Sequence, residues 1–227
     1  MTFISRRDLL KRVGMTSVAV PLFDRAFGRP IEGLGQQPPP ALQQFTAEEG
    51  KLMDAIVARL IPTDELGPGA TEAHAVTYID RALGDALKTS RAAYSSGLAA
   101  LDRYARSSRG APFTELSAID QDSVLIDIET GAATGFSGSS AAFFALVLTH
   151  THQGTFGDPY YGGNANFAGW DLIGYPGVRL AVTANEQGLN AHPSPTHMSA
   201  YDYRMFSAKR PARAALGSGD SGGHHGD

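Results

Sequence analysis

The chain has 227 residues, a net charge of −4 and no cysteine. That length allows one domain with a sizeable core plus tails. The absence of cysteine excludes disulfides, thiolate metal sites, cysteine-held iron–sulfur clusters and Cys-x-x-Cys-His haem attachment, and the small net charge points away from nucleic acid.

In chain order, Ser5-Arg6-Arg7-Asp8-Leu9-Leu10-Lys11 resembles a twin-arginine export signal, with Arg6 and Arg7 as its core. A mildly apolar stretch, residues 13–23, follows; it is too short to span a bilayer and contains Pro21. Residues 1–27 therefore read as a signal segment, and 28–44, rich in proline and glutamine, as a linker. A single helical domain is expected over 45–210, with a flexible tail over 211–227.

Thr46-x-x-Glu49 is a capping box, and Leu52, Ile56 and Leu60 with Met53 and Val57 give the first helix one apolar face. Ile61-Pro62 ends it. A second helix is expected over 70–83, with Val76, Ile79 and Leu83 inward and His74 near its start. A third, over 91–107, carries Tyr94, Leu98, Leu101 and Tyr104 as a core stripe. Gly97 in that helix costs about 1 kcal/mol against alanine, so a close helix contact is expected there. Ser117-x-x-Asp120 starts a fourth, with Val124, Leu125 and Ile128 inward and Gly131 as its stop. The fifth, over 141–151, is apolar on nearly every side and is expected at the centre of the domain. The fold class is mainly α: about five helices, a long irregular loop and an irregular C-terminal segment.

The loop, residues 156–177, holds six glycines, two prolines and six aromatic residues, including the only tryptophan, Trp170. No helix or strand period survives that composition, and so much aromatic surface must be buried in the domain or against a partner. Beyond it, residues 178–184 fit a short strand or continued loop, and the aromatic cluster at 201–206 fits a docking strand.

Candidate chemistry in this pattern is sparse. His150 and His152, two apart, fall on different sides of a helix, so convergence on a metal with His192 or His197 is disfavoured, and a histidine of this pair is expected to cap the last helical turn. Asp158 and Asp171 lie together in the aromatic loop, which keeps open a stand-alone carbohydrate-binding protein or hydrolase. Asp158 before Pro159 is more simply a turn residue. No βαβ alternation accompanies Gly162-Gly163, so no flavin or other cofactor is expected on this chain.

Asp158-Pro159, with Tyr160 beside it, then Tyr161-Gly162-Gly163-Asn164, Gly169-Trp170 and Gly174-Tyr175-Pro176-Gly177 resemble, in order and spacing, the signature of the gluconate 2-dehydrogenase subunit 3 family. The resemblance runs from about Glu48 to Gly177. It implies a non-catalytic small subunit of a periplasmic, membrane-associated complex. In that family the large subunit is an FAD-dependent flavoprotein of the glucose–methanol–choline type acting on a sugar, sugar acid or alcohol, and a multihaem cytochrome c often carries the electrons onward. The resemblance also implies passage with the large subunit through the twin-arginine translocase. These signature residues are then the candidate partner interface, with no catalytic, cofactor or metal residue on this chain.

Overall fold

A computed structural model describes residues 41–207. Five helices form the body: α1 (Ala47–Leu60), α2 (Ala75–Leu83), α3 (Arg91–Arg109), α4 (Ala118–Glu129) and α5 (Ser140–Phe156). Two short helices follow, α6 (Ala168–Leu172) inside the signature loop and α7 (Arg204–Ser207). Among the described residues there is no strand, and no helix is long and apolar enough to cross a membrane. Residues 178–183 are irregular and lead into a 3₁₀ turn (Ala184–Gln187), and the strand expected over 201–206 is instead a 3₁₀ turn (Ala200–Asp202) leading into α7. The Ser199-x-x-Asp202 capping box starts that turn and dictates its form.

The first helix forms as its sequence requires. Thr46 accepts from the Glu49 amide at 3.1 Å while the Glu49 carboxylate accepts from the Thr46 amide at 2.9 Å. Glu49 also receives the Arg91 fork, at 3.1 and 2.6 Å, which ties the starts of α1 and α3 together. The helix ends at Leu60, ahead of Ile61-Pro62. The chain leading into α1 is held from α2. Asp80, nearly fully buried, accepts from the amides of Gln43, Gln44 and Phe45 at 2.7, 2.8 and 2.8 Å. The domain's grip thus reaches Gln43 and Gln44, inside the stretch expected to be linker.

The second helix starts later than its apolar pattern suggests. His74 adopts a left-handed conformation (φ 55°, ψ 38°), so residues 70–73 form a separate turn and the helix begins at Ala75.

The core is one continuous cluster fed by all five helices. Met53, Ile56 and Val57 of α1, Ile79 and Leu83 of α2, Tyr94, Leu98 and Leu101 of α3, Val124 and Ile128 of α4, and Phe143 and Val147 of α5 meet in it. The α5 helix packs against α1, α2, α3, α4 and α6, which makes it the central element. Its own surroundings are not uniformly apolar: Ala142, Ala145, Thr149 and His152 line an exposed edge. Two glycines set its close approaches to α3 and to the start of α2. A Cβ on Gly97 would strike the ring of Phe143, and one on Gly154 would lie 2.9 Å from the backbone of Ala75. The close contact expected at Gly97 is therefore an α3–α5 crossing.

The fifth helix also runs beyond its expected end at Thr151, as far as Phe156. His150 and Thr151 are buried, and the Thr151 and Thr155 hydroxyls donate to Val147 O and Thr151 O, both at 2.8 Å. Polar residues that satisfy themselves along the helix can continue it through the interior. His150 accordingly caps nothing. It sits within the helix, its ring stacked on Tyr94 at 5.9 Å and its Nδ1 3.0 Å from the Tyr94 hydroxyl.

Candidate functional site

The last turn of α5 leaves carbonyls without helical partners, as every helix end does. The signature loop supplies those partners. Gly157 N donates to Gln153 O at 2.9 Å, Asn164 N to Gly154 O at 2.7 Å, and the Trp170 indole N–H to Phe156 O at 3.0 Å. The loop is in effect an extended cap folded back over the end of the central helix. It does the work of a local glycine-based C-cap, but with residues drawn from well beyond the helix end.

Asn164 is the hub. It is fully buried, and its side-chain amide donates to Gly157 O at 2.9 Å while its side-chain carbonyl accepts from Gly169 N at 2.8 Å. The second bond caps α6. Gly163 and Gly169 are glycine because a Cβ on either would strike a backbone carbonyl of α5, that of Gly154 or Thr155. The chain between them is wound unusually: Asn164, Asn166 and Phe167 have φ of 45°, 53° and 60°. Asparagine tolerates that region, whereas phenylalanine does so at a cost of about 1–3 kcal/mol.

Trp170 is 4% exposed. Its ring packs edge-on to Tyr175 at 4.8 Å and tilted to Phe167 at 5.6 Å. It faces the interior, as do Gly163, Asn164 and Gly177, so these four shape the loop from within. The outer surface is carried by Tyr161 (44% exposed), Tyr175 (38%) and Ile173 (58%), with Gly174 exposed between the last two. Asp158, Pro159, Tyr160, Gly162 and Pro176 are half-buried at its margin. Gly162 lies against Arg81 of α2 and takes φ 97°.

The two loop aspartates are both engaged. Asp158 Oδ1 accepts from Tyr160 N at 2.9 Å, the turn geometry expected before proline, and its Oδ2 accepts from Ser199 Oγ at 2.9 Å and Ala200 N at 3.2 Å. Asp171 Oδ1 lies 2.7 Å from His197 Nε2, and the His197 ring stacks on Phe167 at 4.5 Å. Tyr161 and Tyr201 join hydroxyl to hydroxyl at 2.6 Å. That bond, with burial second, pushes the Tyr161 hydroxyl up to about 12, so it stays protonated through the neutral range. With Trp170 buried and both carboxylates bonded, the loop presents neither a tryptophan platform for a sugar nor an unengaged carboxylate pair.

Among the described residues, no three His, Asp or Glu side chains are grouped to hold a metal ion. Arg6 and Arg7 lie outside the described residues. Sequence reasoning passed over Ser199, Tyr201 and His197 as loop partners. The capping-box spacing of Ser199 and Asp202 is a local signal, but it says nothing of the contact with Asp158, 41 residues away.

These features define an α-helical scaffold for one shaped aromatic loop. Residues 47–177, more than half of the chain, match the family described as gluconate 2-dehydrogenase subunit 3. The chain belongs to that family, whose description makes it a subunit of a dehydrogenase complex. The match ends at Gly177, the last residue of the loop. No curated protein and no solved structure matches the chain.

Proposed function

We propose that this protein is the non-catalytic small subunit of an FAD-dependent sugar, sugar-acid or alcohol dehydrogenase, and that it docks the flavoprotein and escorts it through the twin-arginine translocase to the periplasm. The observation that supports docking is the exposure of Tyr161, Ile173 and Tyr175 on a loop hydrogen-bonded to the end of the central helix. A preorganised surface loses little entropy on binding, and exposed tyrosines are effective anchors. Escort follows from the N-terminal Ser5-Arg6-Arg7 motif. A translocase that carries folded proteins can carry a tightly docked partner with them. A multihaem cytochrome c as third subunit belongs to the same proposal.

Co-expression with the flavoprotein encoded beside this chain tests it, with Arg6 and Arg7 intact or both changed to lysine. The proposal expects periplasmic dehydrogenase activity only with the arginines intact. Periplasmic activity unaffected by the double change, together with separate purification of the two chains, would contradict it.

A further inference from the structure

The family match stops at Gly177, but the hydrogen bonding of the loop does not. The following segment turns back and runs alongside it. Thr196 donates to Pro176 O through its amide at 2.7 Å and its hydroxyl at 2.9 Å. Val178 N donates to Met198 O at 2.8 Å, and the Tyr203 hydroxyl to Val178 O at 2.7 Å. His197 reaches Asp171, and Tyr201 reaches both Tyr160, at 4.2 Å between rings, and the Tyr161 hydroxyl. The most buried of these links is Asp158 to Ser199. Ser199 is 6% exposed, and its hydroxyl donates to Asp158 Oδ2 while accepting from Tyr201 N at 3.0 Å.

These contacts bear on the three left-handed non-glycine residues of the loop. Such conformations persist only where surrounding structure over-determines them. Phe167, the most strained by residue type, packs against both Trp170 and the His197 ring, the latter stacked within 7° of parallel. One of these supports comes from the family domain and the other from the segment beyond it.

We propose that residues 178–207 are a strap that holds the signature loop in its bound-ready conformation, and that Asp158 is the positioning residue that fastens it. The partner then meets a surface made by both segments, Tyr161 from the loop and Tyr201 from the strap. The partner's use of this surface rests on the docking function proposed above; the strap itself does not.

Conservative changes in the full-length chain test the fastening. Asp158→Asn keeps one carbonyl acceptor but cannot accept at both ends. Ser199→Ala removes the donor, and Ser199→Thr retains it. Amide hydrogen exchange across 164–175 is expected to rise about tenfold or more in Asp158→Asn and Ser199→Ala, and to return to the parent value in Ser199→Thr, with α1 and α4 unchanged. Exchange that rises only at 196–203 while 164–175 keeps its protection would overturn the strap. If Asp158→Asn exchanges fast everywhere, the comparison of Ser199→Ala with Ser199→Thr decides alone. Capture of the flavoprotein is the second readout: about tenfold weaker retention by Ser199→Ala, rescued in Ser199→Thr, supports the composite surface, and equal retention by all three overturns it. No capture by the parent chain would instead contradict the docking function, leaving the exchange result to decide the strap.

Discussion

The indole of Trp170 donates to the carbonyl of Phe156 across 3.0 Å, so the short helix inside the signature loop hangs from the last residue of the central helix. The only tryptophan of the chain is therefore a fastener. Its ring packs against Tyr175 and Phe167, and its N–H occupies a helix-end carbonyl. Loop shape and helix termination are one structure.

Replacing Trp170 separates these two contributions. Trp170→Ala is expected to cost about 3–5 kcal/mol, the usual range for an aromatic lost from a packed interior. Trp170→Phe keeps a ring but leaves Phe156 O without its donor, and is expected to cost about 1–3 kcal/mol. Urea unfolding followed by far-UV circular dichroism gives both values on one scale.

Gly97 tests the crossing of α3 and α5. Alanine is the better helix former by about 1 kcal/mol, so in an open helix Gly97→Ala would stabilise. Here the new methyl meets the Phe143 ring, and overpacking of this kind costs about 1–3 kcal/mol. Net destabilisation is expected, and Gly97→Ala combined with Phe143→Leu is expected to be less than additive in a double-mutant cycle.

Asp80 holds three backbone amides ahead of α1. Asp80→Ala removes every acceptor at once and is expected to cost about 3 kcal/mol or more, since unsatisfied amides lose about 1–3 kcal/mol each. Asp80→Asn, which keeps one carbonyl oxygen, is expected to fall between. Hydrogen exchange at Gln43, Gln44 and Phe45 is expected to rise in both variants while α4 keeps its protection.

His150 sets a pH dependence. Burial pulls its pKa below the ordinary 6.5, so the folded domain holds it neutral while the unfolded chain binds a proton below that pH. The unfolded state then carries more protons, and stability falls as pH drops below 6.5. The urea midpoint is expected to decline as pH falls from about 7.5 to about 5, with a shallower decline in His150→Asn. An unchanged slope in that variant would show that His150 does not set the dependence.

Much of the helical body is legible in the sequence because its determinants are local. The Thr46/Glu49 box, the Ser117 cap, the Ile61-Pro62 stop and the apolar spacing of Leu98 and Leu101 each act within a turn or two. The end of α5 is not legible, because the polar run from His150 to Gln153 reads as surface until Tyr94 is known to meet His150 from 56 residues away. The start of α2 fails for another reason: nothing in residue type forces His74 into a left-handed conformation. The loop is visible by composition, but its direction is not. Whether Trp170 faces in or out depends on Phe156 O and Tyr175, and the contribution of Ser199 and Tyr201 depends on a long return of the chain that no local rule describes.

The most direct test of the docking function is capture of the flavoprotein by the tagged full-length chain, compared with the double variant Tyr161→Ser, Tyr175→Ser. Both tyrosines also pack within the loop, Tyr161 on Tyr201 and Tyr175 on Trp170, so urea unfolding is measured beside capture, and the variant is expected to lose about 1–3 kcal/mol while remaining folded. The parent is predicted to retain the flavoprotein through purification and the variant to retain it at least about tenfold less well, the loss expected of interface anchors. Equal retention by parent and variant, or no retention by either, would contradict the docking function.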